Sequence, residues 1–145
     1  MHKTSRGFPV LFIDDNPAVI EIVDRAMQKV FPEANTAYKQ SIEEAKVYLE
    51  KPETIAYGAY PKLILLDIHL PDRNDGWQLL DFLRNHPKWR LTPVVMLTSS
   101  DDDMDVLESY RQGASSFIAK PASYSEWQHC LRAIRNYWYD AVKTV

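Results

Sequence analysis

The sequence predicts an α/β domain built on one doubly wound parallel sheet, with helices covering both faces. Short, almost purely apolar runs alternate with segments in which apolar residues recur at helical spacing. Continuous apolar runs are typical of strands that are covered on both sides. The chain has 145 residues, so we expect a single domain, with a core spanning about 9–143 and no output domain.

Composition argues against two classes of function. Lysine and arginine total 17 against 20 aspartate and glutamate residues, a net charge of −3, and so a basic nucleic-acid surface is not expected. No apolar run approaches the length of a membrane span. Cys130 is the only cysteine, which excludes an intramolecular disulfide and favours a cytoplasmic location.

The first strand and helix are predicted by an apolar run and a capping signal. The run from Pro9 to Ile13 is the strand. Asn16 is then a predicted N-cap, with Pro17 at the first helical position. Apolar residues follow at spacings of four, three and four, which places them on one helix face: Val19, Val23, Ala26 and Val30.

The next pair is a weak strand and a well-marked helix. Residues 34–38 have modest strand propensity. Ser41 and Glu44 have the spacing of a capping box, which predicts a helix start. The buried face of that helix is predicted to be Ile42, Ala45 and Leu49. Residues 51–61 contain two prolines and a glycine, and predict a long loop.

Three further apolar runs each lead into a polar residue. They are Leu63–Leu66 before Asp67, Val94–Leu97 before Thr98, and Phe117–Ala119 before Lys120. We predict a helix from about Trp77 to Arg84 after the first run. A second helix opens with Asp101–Asp103, whose carboxylates suit a helix N-terminus, and ends near Gly113.

The count is five strands and five helices in alternation. Parallel strands joined by right-handed crossovers form a doubly wound sheet. For five strands the expected order is 2-1-3-4-5, the flavodoxin-like arrangement. Its ligand crevice lies at the carboxyl ends of the strands.

Five polar residues are predicted to converge at that edge: Asp14, Asp15, Asp67, Thr98 and Lys120. Three neighbouring carboxylates need a compensating charge, and Mg²⁺ prefers such oxygen ligands. A metal, an ammonium and a hydroxyl together suit phosphoryl transfer. Asp67 stands alone on the central strand and is the candidate nucleophile, whereas Asp14 and Asp15 are the candidate metal pair.

With these residues in order, the sequence resembles the receiver domain of two-component response regulators. The resemblance runs from about Val10 to Val142 and rests on five motifs: Asp14-Asp15, Asp67-x-x-x-Pro71, Thr98-Ser99, Gly113-Ala114 and Lys120-Pro121. The long loop at 51–61 and the aromatic C-terminal helix look like the single-domain regulators paired with cyanobacterial phytochromes.

The resemblance implies a phosphoacceptor that assists its own phosphorylation and dephosphorylation but is not an enzyme. Asp67 would receive a phosphoryl group from a sensor histidine kinase or a phosphotransfer protein, and the likeness to phytochrome-paired regulators implies a kinase of the phytochrome type. Mg²⁺, with Mn²⁺ as a substitute, would be held by Asp14, Asp15, Asp67 and the backbone carbonyl of His69.

The resemblance also implies a phosphate-binding pair and a switch. Thr98 and Lys120 would bind the phosphoryl oxygens. Thr98 and Phe117 would then move inward, and the changed surface would signal through protein contacts. Phe117 has no hydroxyl, so it can change rotamer without forming a hydrogen bond at its tip.

One departure keeps an alternative open. Three residues separate Pro71 from Asp75, where the family usually has two. The alternative is a phosphorylation-independent pseudo-receiver that acts as a protein-binding or dimerisation module. Two other classes fit less well: haloacid dehalogenase phosphatases need an Asp-x-Asp pattern after the first strand, and in a flavodoxin Asp14-Asp15 would repel the cofactor phosphate.

The last helix is predicted from the Ser123-x-x-Glu126 capping box to about Lys143. Its predicted core face is Trp127, Leu131, Ile134, Trp138 and Ala141. Further tyrosines at 124, 137 and 139 add apolar surface, which usually marks an interface. We therefore predict a homodimer through Tyr124, Trp127, Tyr137 and Trp138.

Overall fold

The computed structural model describes residues 7–51, 60–68, 73–98 and 103–141. The strands are β1 Phe8–Ile13, β2 Ala34–Lys39, β3 Leu63–Asp67, β4 Val94–Thr98 and β5 Ser116–Ala119. The helices are α1 Pro17–Val30, α2 Ile42–Leu49, α3 Arg73–Arg84, α4 Asp103–Arg111 and α5 Tyr124–Ile134. The chain continues from α5 as a π-helix, Arg135–Ala141.

All five strands form one parallel sheet in the order β2-β1-β3-β4-β5. This is the predicted doubly wound, flavodoxin-like fold. The central strand, β3, is buried along its whole length, as its apolar sequence requires. The weak strand predicted at 34–38 is the edge strand β2, whose residues are all partly exposed.

Two apolar cores lie on opposite faces of the sheet. On one face α2 and α3 cover the sheet, with Ile42, Ala45, Leu49, Leu79, Leu80 and Leu83 buried. On the other face α1 and α5 lie against each other, with Val23, Ala26, Met27, Val30, Trp127, Leu131 and Ile134 buried. The apolar stripes predicted for α1 and α2 therefore face the sheet, although Val19 is only partly buried.

Side-chain caps start three helices where the sequence predicts them. The Asn16 side chain accepts a hydrogen bond from the Ala18 N–H at 2.9 Å. Ser41 Oγ accepts from the Glu44 N–H at 3.1 Å, and Ser123 Oγ accepts from the Glu126 N–H at 3.2 Å. These caps satisfy N–H groups that have no partner inside the helix.

The start of α3 differs from the prediction. The helix begins at Arg73, four residues before the predicted start at Trp77. Gly76 indicated a turn in the sequence, but it lies inside the helix. A Cβ there would be 2.8 Å from the Cα of Ile68, so only glycine allows this helix to approach the end of β3 so closely.

The predicted core face of the last helix is confirmed only for its α-helical part, which ends at Ile134. Trp127, Leu131 and Ile134 are buried, and Trp138 is partly buried. From Arg135 the winding is π-helical, with more residues in each turn, so a stripe at α-helical spacing no longer faces one side. Ala141 is consequently exposed, contrary to the prediction.

Trp127 belongs to the protein's own core, and Tyr139 contacts two core rings although it is 39% exposed. Trp127 is 2% exposed and packs edge-to-face on Phe12 with ring centroids 6.0 Å apart, so it does not belong to the predicted dimer interface. Tyr139 packs edge-on against Phe8 at 5.5 Å and against Phe31 at 5.8 Å. Tyr124 and Trp138 are partly buried, and Tyr137 is 55% exposed.

Two arginines tie distant segments together. Arg84 donates through Nε to the carbonyl of Gly113 at 2.8 Å, and Gly113 has the positive φ of 96° expected after a helix C-terminus. Arg135 donates to both carboxylate oxygens of Glu33, at 3.0 and 2.7 Å. Among the described residues, no helix is both long enough and apolar enough to cross a bilayer.

Candidate functional site

The polar residues predicted to end the strands lie together at the carboxyl edge of the sheet. Asp14 follows β1, and its backbone N–H continues the ladder to the carbonyl of Lys39 at 3.0 Å. Asp67 closes β3 and Thr98 closes β4. Both lie on adjacent parallel strands, and all three side chains are buried, with exposures of 0% for Asp14, 5% for Asp67 and 0% for Thr98.

Three carboxylates form a cluster at this edge. Asp14, Asp15 and Asp67 each offer an oxygen within 4.8 Å of the others. The backbone N–H of Asn16 donates to Asp14 Oδ1 at 2.9 Å and fixes that carboxylate. Asp15 is exposed, so it gives the cluster an open side.

Lys120 brings a positive charge to the two buried carboxylates. Its Nζ lies 2.6 Å from Asp14 Oδ2 and 3.3 Å from Asp67 Oδ2. Burial alone lowers the pKa of Lys120, but its hydrogen bond to Asp14 and the charge of Asp67 outweigh that cost, and the pKa is raised. The ammonium therefore stays charged at neutral pH.

The ends of β4 and β5 are joined next to this cluster. The Lys120 N–H donates to the carbonyl of Thr98 at 2.6 Å, so both residues are held at one level of the sheet. Phe117 lies on β5 opposite Met96 and packs, partly buried, against the core under α2 and α3. Thr98 pairs with Ala119 on β5, and this strand also carries the half-buried ring of Phe117.

Some predicted features lie outside the described residues. These are the His69 carbonyl, Pro71, Ser99 and the loop at 52–59, and they stay predictions. Sequence reasoning also missed one residue that shapes the site. Gly76 lets α3 pack against Ile68, the residue directly after Asp67, and the only signal was a glycine directly before the predicted helix start at Trp77.

The donor set fits a divalent cation. The clustered ligands are carboxylate oxygens, the type that hard cations such as Mg²⁺ and Mn²⁺ accept. Three carboxylates and one ammonium leave the site negative when all are ionised, which favours a dication. The exposed Asp15 provides an open side for a metal that keeps several waters.

Comparisons with known proteins agree with this geometry. A family model described as the response regulator receiver domain matches residues 10–132. FilR2 of Methanothrix harundinacea, a probable methanogenesis regulatory protein, is 28% identical over 131 residues, which cover 90% of this chain and 83% of FilR2. The response regulator Rcp1 of Synechocystis is 24% identical over 133 residues, covering 92% of this chain and 90% of Rcp1.

Solved structures show the same architecture. The crystal structure of the phosphorylated cyanobacterial phytochrome response regulator RcpA superposes with a TM-score of 0.81 at 26% identity, covering 95% of this chain and 98% of RcpA. The matched residues 10–132 include every strand end that builds the carboxylate cluster. The chain therefore belongs to the response regulator receiver domain family of two-component signalling.

Proposed function

We propose that Asp67 is the phosphoacceptor of this receiver domain and that the donor is a phosphohistidine on a sensor histidine kinase or phosphotransfer protein. The observation that carries the proposal is the position of Lys120, whose ammonium contacts both Asp14 and Asp67 inside the carboxylate cluster. An ammonium beside a buried carboxylate is suited to bind the oxygens of an incoming phosphoryl group.

The proposed step is an in-line displacement at phosphorus. An Oδ of Asp67 forms a bond to phosphorus, while the bond between phosphorus and the histidine nitrogen breaks. The electron pair of the broken bond stays on the imidazole, which leaves as neutral histidine after taking a proton. Lys120 and the Thr98 hydroxyl hold phosphoryl oxygens as charge accumulates on them.

Mg²⁺ is the proposed physiological metal, with Mn²⁺ able to replace it, and the ligands are Asp14, Asp15, Asp67 and the His69 carbonyl. When bound, the metal neutralises phosphoryl charge next to the three carboxylates. Asp14 and Asp15 serve only as metal ligands, whereas Asp67 is both a metal ligand and the nucleophile. The protein acts as a phosphoacceptor and not as an enzyme with turnover on a separate substrate.

The proposed output is a population shift between two conformations. Phosphorylation would favour the state in which Thr98 approaches the phosphoryl group and Phe117 turns further into the core. RcpA is described as a phytochrome response regulator, which supports a phytochrome-type kinase as the cytoplasmic partner of this chain. The changed surface would then contact another protein.

Acetyl phosphate provides the test, with intact-protein mass as the readout. We expect wild type to gain one phosphoryl group only when Mg²⁺ is present. Asp67→Asn should gain none, because the amide lacks the nucleophilic oxygen. The matched control is Asp81→Asn, which changes an exposed carboxylate on α3 and should label like wild type.

Transfer from a phosphorylated histidine kinase completes the test. Labelling of Asp67→Asn at the wild-type level would overturn the assignment of the acceptor. Absence of labelling from both donors, together with absence of Mg²⁺ binding in calorimetry, would favour the phosphorylation-independent pseudo-receiver.

We also propose that the chain forms a homodimer through the outer face of its last helical segment. Tyr137 is 55% exposed and packs edge-to-face on Trp138 at 4.9 Å, which supports an aromatic contact surface that also includes Tyr124. Tyr137→Lys should lower the dimer fraction in sedimentation measured with beryllofluoride. The control is Leu91→Lys, at an apolar site that is 63% exposed and lies in the segment before β4. A purely monomeric wild type would contradict the proposal.

A further inference from the structure

A pocket of about 360 Å³ lies at the amino-terminal edge of the sheet, opposite the carboxylate cluster. Its wall consists of two segments, residues 60–62 just before β3 and residues 87–93 just before β4. The volume is in the range of small-molecule sites. Nothing in the phosphoacceptor chemistry uses this edge of the sheet.

The pocket has a positive wall on an acidic protein. Lys62, Lys88 and Arg90 line it, and no described lining residue is acidic. The chain as a whole carries a net charge of −3, so a wall with three cations and no acid among its described lining residues differs from the average composition of the protein. Such a wall attracts an anion.

The rest of the wall is mostly apolar. The ring of Tyr60 lies against that of Trp89, with centroids 5.8 Å apart, and Pro61 and Pro93 complete this part of the lining. The indole N–H of Trp89 is buried and has no acceptor among the residues that the structure describes. An apolar body would complement the exposed side chains of Tyr60 and Leu91 in this lining.

The backbone of both segments is held in place before any ligand arrives. Arg84 Nη1 donates to the carbonyls of Trp89 and Arg90 at 3.4 and 3.3 Å. The N–H of Lys62 donates to the carbonyl of Pro9 at 2.9 Å, and the carbonyl of Pro93 accepts from Ile64 at 3.0 Å. A preformed site loses little conformational entropy on binding.

We propose that this pocket binds a small organic anion, a carboxylate or phosphate carried on a flat apolar body. The cations of the rim hold the anionic group, and the apolar body contacts the exposed side chains of Tyr60 and Leu91. The proposal does not rest on phosphorylation of Asp67. It adds a second input site, at the opposite edge of the sheet.

The test follows the Trp89 indole N–H signal by two-dimensional NMR while 1-naphthoate is added, with the signal assigned from Trp89→Phe. 1-Naphthalenemethanol serves as the neutral analogue. Inorganic phosphate serves as the anion that lacks the apolar ring system. We expect naphthoate to bind about tenfold more tightly than either. Equal binding of the alcohol, or no localised shift with naphthoate, would overturn the proposal.

Paired charge reversals decide whether the effect is local. Lys88→Glu with Arg90→Glu should abolish naphthoate binding. Arg25→Glu with Lys29→Glu changes the net charge equally on the exposed side of α1 and should leave binding intact. Loss of binding in both double variants would refute a local site. Binding of an acetylated Glu-Phe-Glu peptide in place of naphthoate would replace the small-ligand proposal with a protein-docking surface.

Discussion

The two ends of the sheet differ in the kind of side chain that they bury. Among the described residues, the buried polar and charged side chains are Asp14, Asp67 and Thr98, and all three lie at the carboxyl edge. At the amino edge, aromatic packing covers the start of β1, where Tyr139 contacts both Phe8 and Phe31, and the pocket with its three cations lies before β3 and β4. Buried charges cost desolvation free energy, whereas buried rings stabilise the fold.

This difference teaches where stability and reactivity reside. The apolar layers on either side of the sheet hold the fold, so the carboxyl edge can keep like charges close together. A cluster of carboxylates is costly for stability but necessary for binding a cation. Substitutions in the apolar layers and at the carboxyl edge should therefore change the free energy of unfolding by different amounts, and only those at the carboxyl edge should respond to metal.

The largest effect is expected in the apolar layer between the sheet and helices α1 and α5. Trp127→Ala removes a ring that is 2% exposed and packs on Phe12, so the free energy of unfolding should fall by about 3–5 kcal/mol. Urea unfolding followed by circular dichroism measures this. Val47→Ala, at a site that is 61% exposed, should change the value by less than about 0.5 kcal/mol. A small effect at Trp127 would contradict the view that this layer holds the fold.

A smaller, metal-dependent effect is expected at the carboxyl edge. Lys120→Met leaves Asp14 and Asp67 buried without their cation, so unfolding in EDTA should become easier by about 3 kcal/mol. Mg²⁺ should restore part of that loss, because a cation bound only by the folded state stabilises it. Failure of Mg²⁺ to restore any stability would contradict the metal assignment.

The pH dependence of the same variant follows from the raised pKa of Lys120. A raised pKa means that the ammonium contributes fully below its ordinary value of 10.5 and loses its contribution as pH rises through the higher folded value. The difference between wild type and Lys120→Met should therefore persist at neutral pH and shrink only above pH 10.5. Asp67→Asn is the control. Its Lys120 keeps the 2.6 Å contact with Asp14, so the ammonium should still contribute to stability at neutral pH.

The smallest effect is expected at the ion pair between Glu33 and Arg135. The hydrogen bonds from Arg135 lower the pKa of Glu33 despite the opposing effect of burial. Its contribution is thus complete above pH 4.5 and is lost as pH falls through the lower folded pKa. Glu33→Gln should lower the Tm by about 2 °C at pH 7 and by less in acid, as measured by calorimetry. Glu21→Gln, an exposed change on α1, should have no such pH-dependent effect.

Sequence alone predicted the strands and the residues that end them, because apolar runs and the polar residues after them are local signals. Asp14, Asp67, Thr98 and Lys120 could be placed at one edge once the strand order was assumed. The start of α3 could not be predicted, since the role of Gly76 depends on its distance to the backbone of Ile68. Local pattern identifies an element but not its neighbours.

Long-range contacts account for the other differences. Glu33 and Arg135 are 102 positions apart, so no sequence window contains both. Tyr139 is 39% exposed, as the sequence predicts, but the sequence did not predict that its ring also lies against Phe8 and Phe31. Nor did it predict the contact of Trp127 with Phe12, and the burial of Trp127 there removes it from the predicted interface.

The pairing of early and late segments has a consequence for synthesis on the ribosome. Phe8, Phe12 and Phe31 are covered by residues that are synthesised more than 100 positions later, such as Trp127 and Tyr139. At the usual pace of elongation, the first strand and helix wait on the order of ten seconds for that cover. The nascent chain therefore exposes an aromatic surface until those later residues emerge, and this is the stage at which chaperones have the most to bind.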